Sequence, residues 1–193
     1  YPVADWLKDL TACETIVNKT RGSYEHLKGG EPKSPTVIKE NGLLFAVDIV
    51  QGQKTGFFLD QRDNREYVRS IAKDKSVMNL FSYTGGFSIY AGAGGASEVL
   101  SVDLAKPALK MAEESWELNK FPKEIHQTEA ADVFDFMESN QRMWDVVIVD
   151  PPSMAHSEKQ REAAITKYID VFSKAATKVQ KGGHLVLSSC SSH

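Results

Sequence analysis

The chain has 193 residues, 41% hydrophobic and 25% charged, with a formal net charge of −3. That length accommodates one full domain and a smaller appendage. No apolar run approaches membrane-spanning length, and the slightly negative charge excludes a protein that coats nucleic acid through bulk positive charge.

The two cysteines, Cys13 and Cys190, lie far apart and outside any metal-ligand spacing. A disulfide framework is therefore not expected, and a reduced cytoplasmic setting is. The chain opens on Tyr1-Pro2-Val3 without an initiating Met and stops at His193, shortly after an apolar strand, which reads as a fragment. Lys19, Arg21, Lys28, Lys33, Lys39 and Lys54 gather in the first third, with Arg62, Arg65 and Arg69 just after. Acids balance them in number, so a local basic surface and a mixed solvated face are both open.

Periodicity is weak up to about Gly30, and Glu31-Pro32-Lys33-Ser34-Pro35 reads as an extended connection. A strand over 43–50, a turn over 51–56 and a returning strand over 57–59 predict a β-hairpin. Arg62–Ser70 reads as a short helix. Strands then fit Val77–Leu80, Glu98–Val102, Ile125–Thr128, Val146–Val149 and Leu185–Ser188, alternating with helices over Phe87–Ala93, Pro107–Asn119, Val133–Ser139 and Glu158–Gln180. Pro107 suits a first helical turn, where its missing N–H costs nothing. Ile165, Tyr168, Ile169, Phe172, Ala176 and Val179 form the expected apolar stripe of the longest helix, and Lys181-Gly182-Gly183 its left-handed cap. The alternation predicts an α/β fold: a doubly wound, mostly parallel Rossmann-like sheet with helices on both faces, carrying an N-terminal β-hairpin appendage. The expected division is residues 1–70 for the appendage and 71–193 for the sheet domain.

In such sheets ligands bind beyond the carboxyl ends of the strands. Ser82, Thr84, Gly85 and Gly86 follow the first strand, and glycines let backbone N–H groups approach a ligand closely. Asp103 ends the second strand, about 20 residues after that loop, where an acid bonds ribose hydroxyls. Its other reading is an N-cap. Asp132 ends the third strand and precedes a helix, so it caps that helix, faces a ligand, or does both. The rigid Asp150-Pro151-Pro152 turn follows a strongly apolar strand and makes a wall for a planar ligand. Cys190 closes the last strand among Ser188, Ser189, Ser191 and Ser192. That polar setting favours a reactive thiol over a packed one.

Four runs carry a resemblance: 52–62 (Gly52 to Arg62), Asn79-Leu80-Phe81-Ser82-Tyr83-Thr84-Gly85-Gly86, Asp150-Pro151-Pro152-Ser153 and Ser189-Cys190-Ser191. In this order they resemble the S-adenosylmethionine-dependent rRNA large-subunit methyltransferases of the RlmI-like type, from about Lys39 to the end. The resemblance implies S-adenosyl-L-methionine as cofactor, with Phe81, Ser82, Tyr83 and Gly85 around its methionine part, Asp103 on its ribose and Asp132 facing adenine. It implies Asp60 and Arg62 near the amino-acid end, and Asp150 between cofactor and target base, with Pro151, Pro152 and Ser153 on the substrate side. Family members that methylate cytosine carbon 5 carry a cysteine where Cys190 stands, whereas relatives that methylate guanine N7 have Ser-Asn-Asn there. The resemblance therefore implies a covalent cysteine adduct with cytosine in large-subunit rRNA. The base would be single-stranded or flipped out, and Pro152 and Phe81 would wall it. It further implies a homodimer, and an N-terminal PUA domain and closing C-terminal hairpin that this sequence does not contain. A uridine or guanine methyltransferase, and a noncatalytic RNA-binding module with a vestigial pocket, are the alternatives. A nicotinamide dehydrogenase would need a Gly-x-Gly-x-x-Gly loop, which is absent.

Overall fold

A computed structural model describes residues 2–20, 23–155 and 158–189. The chain begins with α1 (Pro2–Thr11), a ribbon of β1 (Thr15–Thr20) and β2 (Ser23–Gly29), then β3 (Thr36–Glu40), β4 (Leu43–Val47) and α2 (Arg62–Ile71). The alternating part runs β5 (Ser76–Leu80), α3 (Gly86–Ala93), β6 (Glu98–Asp103), α4 (Lys106–Leu118), β7 (His126–Ala130), α5 (Val133–Ser139), β8 (Trp144–Val149), α6 (Arg161–Ala176) and β9 (Val179–Leu187). The five strands of this part form one parallel sheet in the order β7-β6-β5-β8-β9. Among the described residues, no helix is long and apolar enough to cross a membrane.

The central strands are buried along their length because both faces are covered, and they are apolar there except at Asn79 and Ser101. Val77, Val99, Val146 and Ile148 point into one core with β4, α3 and Trp116. Met78, Leu80, Leu100, Val102, Val147 and Val149 point into the other, with α5 and α6. The chain leaves β5 on one side toward β6 and β7, then returns to place β8 on the other. That reversal opens a crevice at the carboxyl ends of β5, β6 and β8.

The expected hairpin pairs differently. β4 pairs antiparallel with β3 across Asn41-Gly42, both at positive φ, and 57–59 forms no strand. The other edge of β4 is taken by α4: Leu44 N–H donates to Asn119 Oδ1 (3.0 Å) and Ala46 N–H to Ser115 Oγ (2.9 Å). Residues 57–61 instead turn back into α2, with Phe57 in the core.

The longest helix also ends earlier than its pattern indicates. α6 stops at Ala176, and Lys181-Gly182-Gly183 lies inside β9, where the pairing slips between Trp144↔Val179 and Val146↔His184. A Cβ on Gly183 would stand 2.6 Å from the Asp145 carbonyl oxygen, so glycine lets this bulged strand approach β8. The buried face of α6 is Ala164, Val171 and Ala175, while Ile165 and Ile169 of the expected stripe are exposed.

A polar chain crosses the first core. Asn79 Nδ2 donates to Ser88 Oγ (3.0 Å), Ser88 Oγ bonds Ser101 Oγ (2.7 Å), and Ser101 Oγ bonds His126 Nε2 (3.0 Å). His126 stacks on Trp116 with ring centroids 4.3 Å apart, and burial lowers its pKa to about 4. The unfolded chain therefore takes up this proton first. The stability tied to the neutral ring is complete above about pH 6.5 and falls by about 3 kcal/mol as pH drops through 4. Urea midpoints at pH 7 and pH 4.5 test this: the fall expected of the wild type is smaller in His126→Gln.

Candidate functional site

The loop after β5 is built from left-handed residues: Phe81 (φ 57°), Tyr83 (φ 48°) and Gly85 (φ 74°). Such values at non-glycine residues cost on the order of 1–3 kcal/mol each and persist only where the surroundings impose them. Here Ser82 N–H donates to the Val102 carbonyl (3.0 Å), Tyr83 N–H to Asp103 Oδ2 (2.8 Å) and Gly85 N–H to the Ser82 carbonyl (2.8 Å). A Cβ on Gly85 would lie 2.6 Å from that of Ala112, which fixes glycine there. α3 then starts without a side-chain cap, so its first-turn N–H groups remain for another partner.

A cavity of about 470 Å3 opens beyond this loop. That volume suits a nucleoside-sized ligand. Phe81, Ser82, Tyr83, Asp103, Asp132, Asp60, Asp150, Pro151 and Pro152, all singled out in the sequence, line it together. Gly85 is not among the lining residues; it packs against Ala112 of α4. Ser153 turns its hydroxyl to the Ala155 carbonyl (2.7 Å). Arg62 does not reach the cavity: its exposed side chain meets Asp63 at 3.2 Å. The first turn of α2 carries Arg62 outward and Arg65, three residues on, inward. Cys190 lies outside the described residues.

Asp103 Oδ1 also accepts from Ala105 N–H (2.8 Å), so both carboxylate oxygens are pinned at the end of β6. Asp132 caps α5 and lines the cavity at once: Oδ1 accepts from Phe134 N–H (2.8 Å) and Asp135 N–H (3.3 Å). Burial and the neighbouring Asp60 raise the pKa of Asp150, while the Ser188 hydroxyl donates to it and pulls the other way. Gln61 Nε2 lies 3.3 Å from Asp150 Oδ1.

Pattern reading missed the far wall, formed by Phe57, Phe58, Gln61 and Arg65. Arg65 is only 2% exposed. Its Nε and Nη2 donate to Glu40 Oε1 (2.9 and 2.7 Å), Nη2 to Oε2 (2.8 Å) and Nη1 to the Phe58 carbonyl (2.8 Å). Tyr90 Oη donates to Glu40 Oε1 (3.0 Å), and burial with this bond pushes its pKa up to about 12. Sequence held one signal for this: Arg65 shares the inner face of α2 with Val68 and precedes Ala72, so a charge interrupts an apolar stripe.

The residues fit S-adenosylmethionine. Ser82 Oγ is buried without a hydrogen-bond partner beside the cavity, as expected of a group that awaits a polar ligand. Asp103 presents a fixed carboxylate to the same cavity, and the uncapped start of α3 leaves N–H groups that suit an anion.

The chain is similar to known methyltransferases. The chain is 46% identical over 160 residues to a ribosomal RNA large subunit methyltransferase of Deinococcus radiodurans, covering 81% of this chain and 39% of the relative. It is 45% identical over 188 residues to ribosomal RNA large subunit methyltransferase I of Vibrio parahaemolyticus, covering 92% and 47%. The chain thus spans less than half the length of these two relatives. Among solved structures, SMU.776, described as a methyltransferase and bound to SAH, superposes with a TM-score of 0.85 at 31% identity, covering 98% of this chain and 51% of that one. The S-adenosylmethionine-dependent methyltransferase family matches residues 17–190, and the chain belongs to that family.

Proposed function

We propose that this chain is the catalytic part of an rRNA methyltransferase that modifies carbon 5 of a cytosine in the large subunit, with residues 71–193 as the methyl-transfer domain and 1–70 as an appended wall. The reading rests on Asp150, which at the end of β8 shares a cavity with Asp103, Asp132 and Ser82, together with Cys190 in the sequence after β9. The names of the two relatives supply the rRNA context. When bound, S-adenosylmethionine supplies an electrophilic methyl group on a sulfonium. Phe81, Ser82 and Tyr83 surround its methionine part, Asp103 holds the ribose hydroxyls and Asp132 accepts from adenine.

Cytosine carbon 5 is a weak nucleophile. A Cys190 thiolate that adds to carbon 6 converts the ring into an enamine whose carbon 5 can accept the methyl. Loss of the carbon 5 proton and expulsion of the thiolate then restore aromaticity. Leu187, three residues before Cys190, pairs with Val149, one before Asp150. An ordinary thiol pKa is about 8.5, so the site must favour the thiolate or remove its proton. The Asp150 carboxylate accepts from the exocyclic amine of cytosine, a donor that uracil replaces with a carbonyl acceptor. Pro151 and Pro152 wall the base.

The test incubates full-length protein with unmodified large-subunit rRNA and methyl-labelled cofactor, followed by digestion and mass spectrometry. Label is expected in 5-methylcytidine and is lost in Cys190→Ala. Label in a purine or in uridine overturns the cytosine assignment.

A further inference from the structure

We propose that Gln61 is a positioning residue for the reaction, holding the Asp150 carboxylate from the wall opposite the sheet, with Asn64 fixing the direction in which it donates. The inference rests on the assignment of Asp150 above.

The geometry is a two-step relay. Asn64 Nδ2 donates to Gln61 Oε1 (2.7 Å), which forces the amide nitrogen of Gln61 the other way, and Gln61 Nε2 donates to Asp150 Oδ1 (3.3 Å). Gln61 and Asp150 are 89 positions apart in sequence. Gln61 is the last residue of the turn that enters α2, and Asn64 lies in the first turn of that helix, so the relay is anchored at both ends. Arg65, one residue on, ties the same turn to the core through the Phe58 carbonyl.

Asp150 needs such a donor. Its carboxyl is largely buried, Asp60 faces it with like charge, and Arg65 and Lys54 offset that charge from the wall side. Ser188 donates from the end of β9. Gln61 supplies a second donor from across the cavity. Donors from two directions favour the charged form of a carboxylate and fix its orientation. Its remaining lone pairs then face the cavity and can accept the amine of the base. A neutral amide does this without the desolvation cost of a second buried cation.

The test follows the side-chain carboxyl resonance of Asp150 in the 13C-labelled full-length protein, assigned by its loss in Asp150→Asn, and measures kcat and cofactor KM in parallel. In Gln61→Glu the midpoint of the Asp150 titration rises by about one pH unit, because a donor becomes a like charge. In Gln61→Leu it also rises, and kcat at pH 7 falls about tenfold, a loss of about 1.4 kcal/mol of transition-state stabilisation. Cofactor KM stays within about twofold. Asn64→Ala, at an exposed position, shows a smaller fall in kcat of the same kind. An unmoved titration in both Gln61 variants, or a loss confined to cofactor KM, overturns the proposal. The assignment of Asp150 fails separately, through an Asp150→Asn enzyme that retains its rate.

Discussion

Replacing Glu40 with alanine is expected to destabilise the protein by about 3–5 kcal/mol, because it strips the counter-charge from a buried guanidinium. Glu40 is the last residue of β3 and receives three hydrogen bonds from Arg65 and one from Tyr90. The side chains of the pair are 3% and 9% exposed, so water cannot take over. Arg65 would keep the Phe58 carbonyl and the faces of Phe57 and Tyr90, at 4.6 and 5.8 Å, but would lose its hydrogen-bonded anion and keep only the through-space charge of Asp150. Cofactor affinity should fall as well, since the same guanidinium pins the 57–61 wall. The double replacement Glu40→Leu with Arg65→Met should recover much of the stability, because removing both charges leaves nothing buried and unpaired. Urea unfolding of the three variants measures this, and an unchanged midpoint in Glu40→Ala would show that the pair does not carry the wall.

Asp150→Asn is expected to separate activity from stability. Methyl transfer should fall by about 100-fold or more, a loss typical of a group that acts in the transition state, while affinity for S-adenosylmethionine stays within a few fold. The melting temperature should rise. Burial and Asp60 raise the pKa of Asp150, so the folded state binds its proton more tightly than the unfolded chain does. Between the ordinary carboxylate pKa and the raised one, folding gains stability as pH falls; above that window the ionised group costs stability. An uncharged amide removes that cost at pH 7. Calorimetric melting at pH 7 and pH 4 checks the sign: the gain of the variant over wild type should shrink at the lower pH. A melting temperature that drops at pH 7 would mean that the hydrogen bonds of Asp150, not its charge, dominate.

The sheet and the acids at its edge were legible because their signals are local. Val77–Leu80, Val99–Val102 and Val146–Val149 are, apart from Asn79 and Ser101, the apolar runs that a strand covered on both faces requires. Asp103 ends such a strand and Asp132 follows the polar edge strand β7, each just before a helix. The wall was not legible, because its signals are tertiary. Phe57 and Phe58 look like strand residues, yet Phe57 is buried in the core and Phe58 edges against Tyr83 at 5.5 Å. The Asn41-Gly42 dipeptide is the stronger hairpin signal, but the apolar stretch over 43–50 is flanked on its other side by Phe57-Phe58-Leu59, which has the same strand-like composition. Lys181-Gly182-Gly183 looked like a helix cap, and only the closeness of β9 to the Asp145 carbonyl shows why glycine stands there. β1 and β2 contain no fully buried residue, and their sequences, TIVNKT and SYEHLKG, lack the alternation that marks a half-buried strand.

Cytosine methylation through Cys190 is tested most directly by trapping its bond to the base. Full-length protein is incubated with target-site RNA containing 5-fluorocytosine, whose carbon 5 carries no proton to lose after methylation, so the thiolate cannot be expelled. A protein–RNA species that survives denaturing electrophoresis is expected, dependent on S-adenosylmethionine and absent in Cys190→Ala. Methylation of unmodified RNA by Cys190→Ala, or failure of the wild type to form the species on a fluorinated RNA whose unmodified counterpart it methylates, would contradict a covalent sulfur–carbon intermediate.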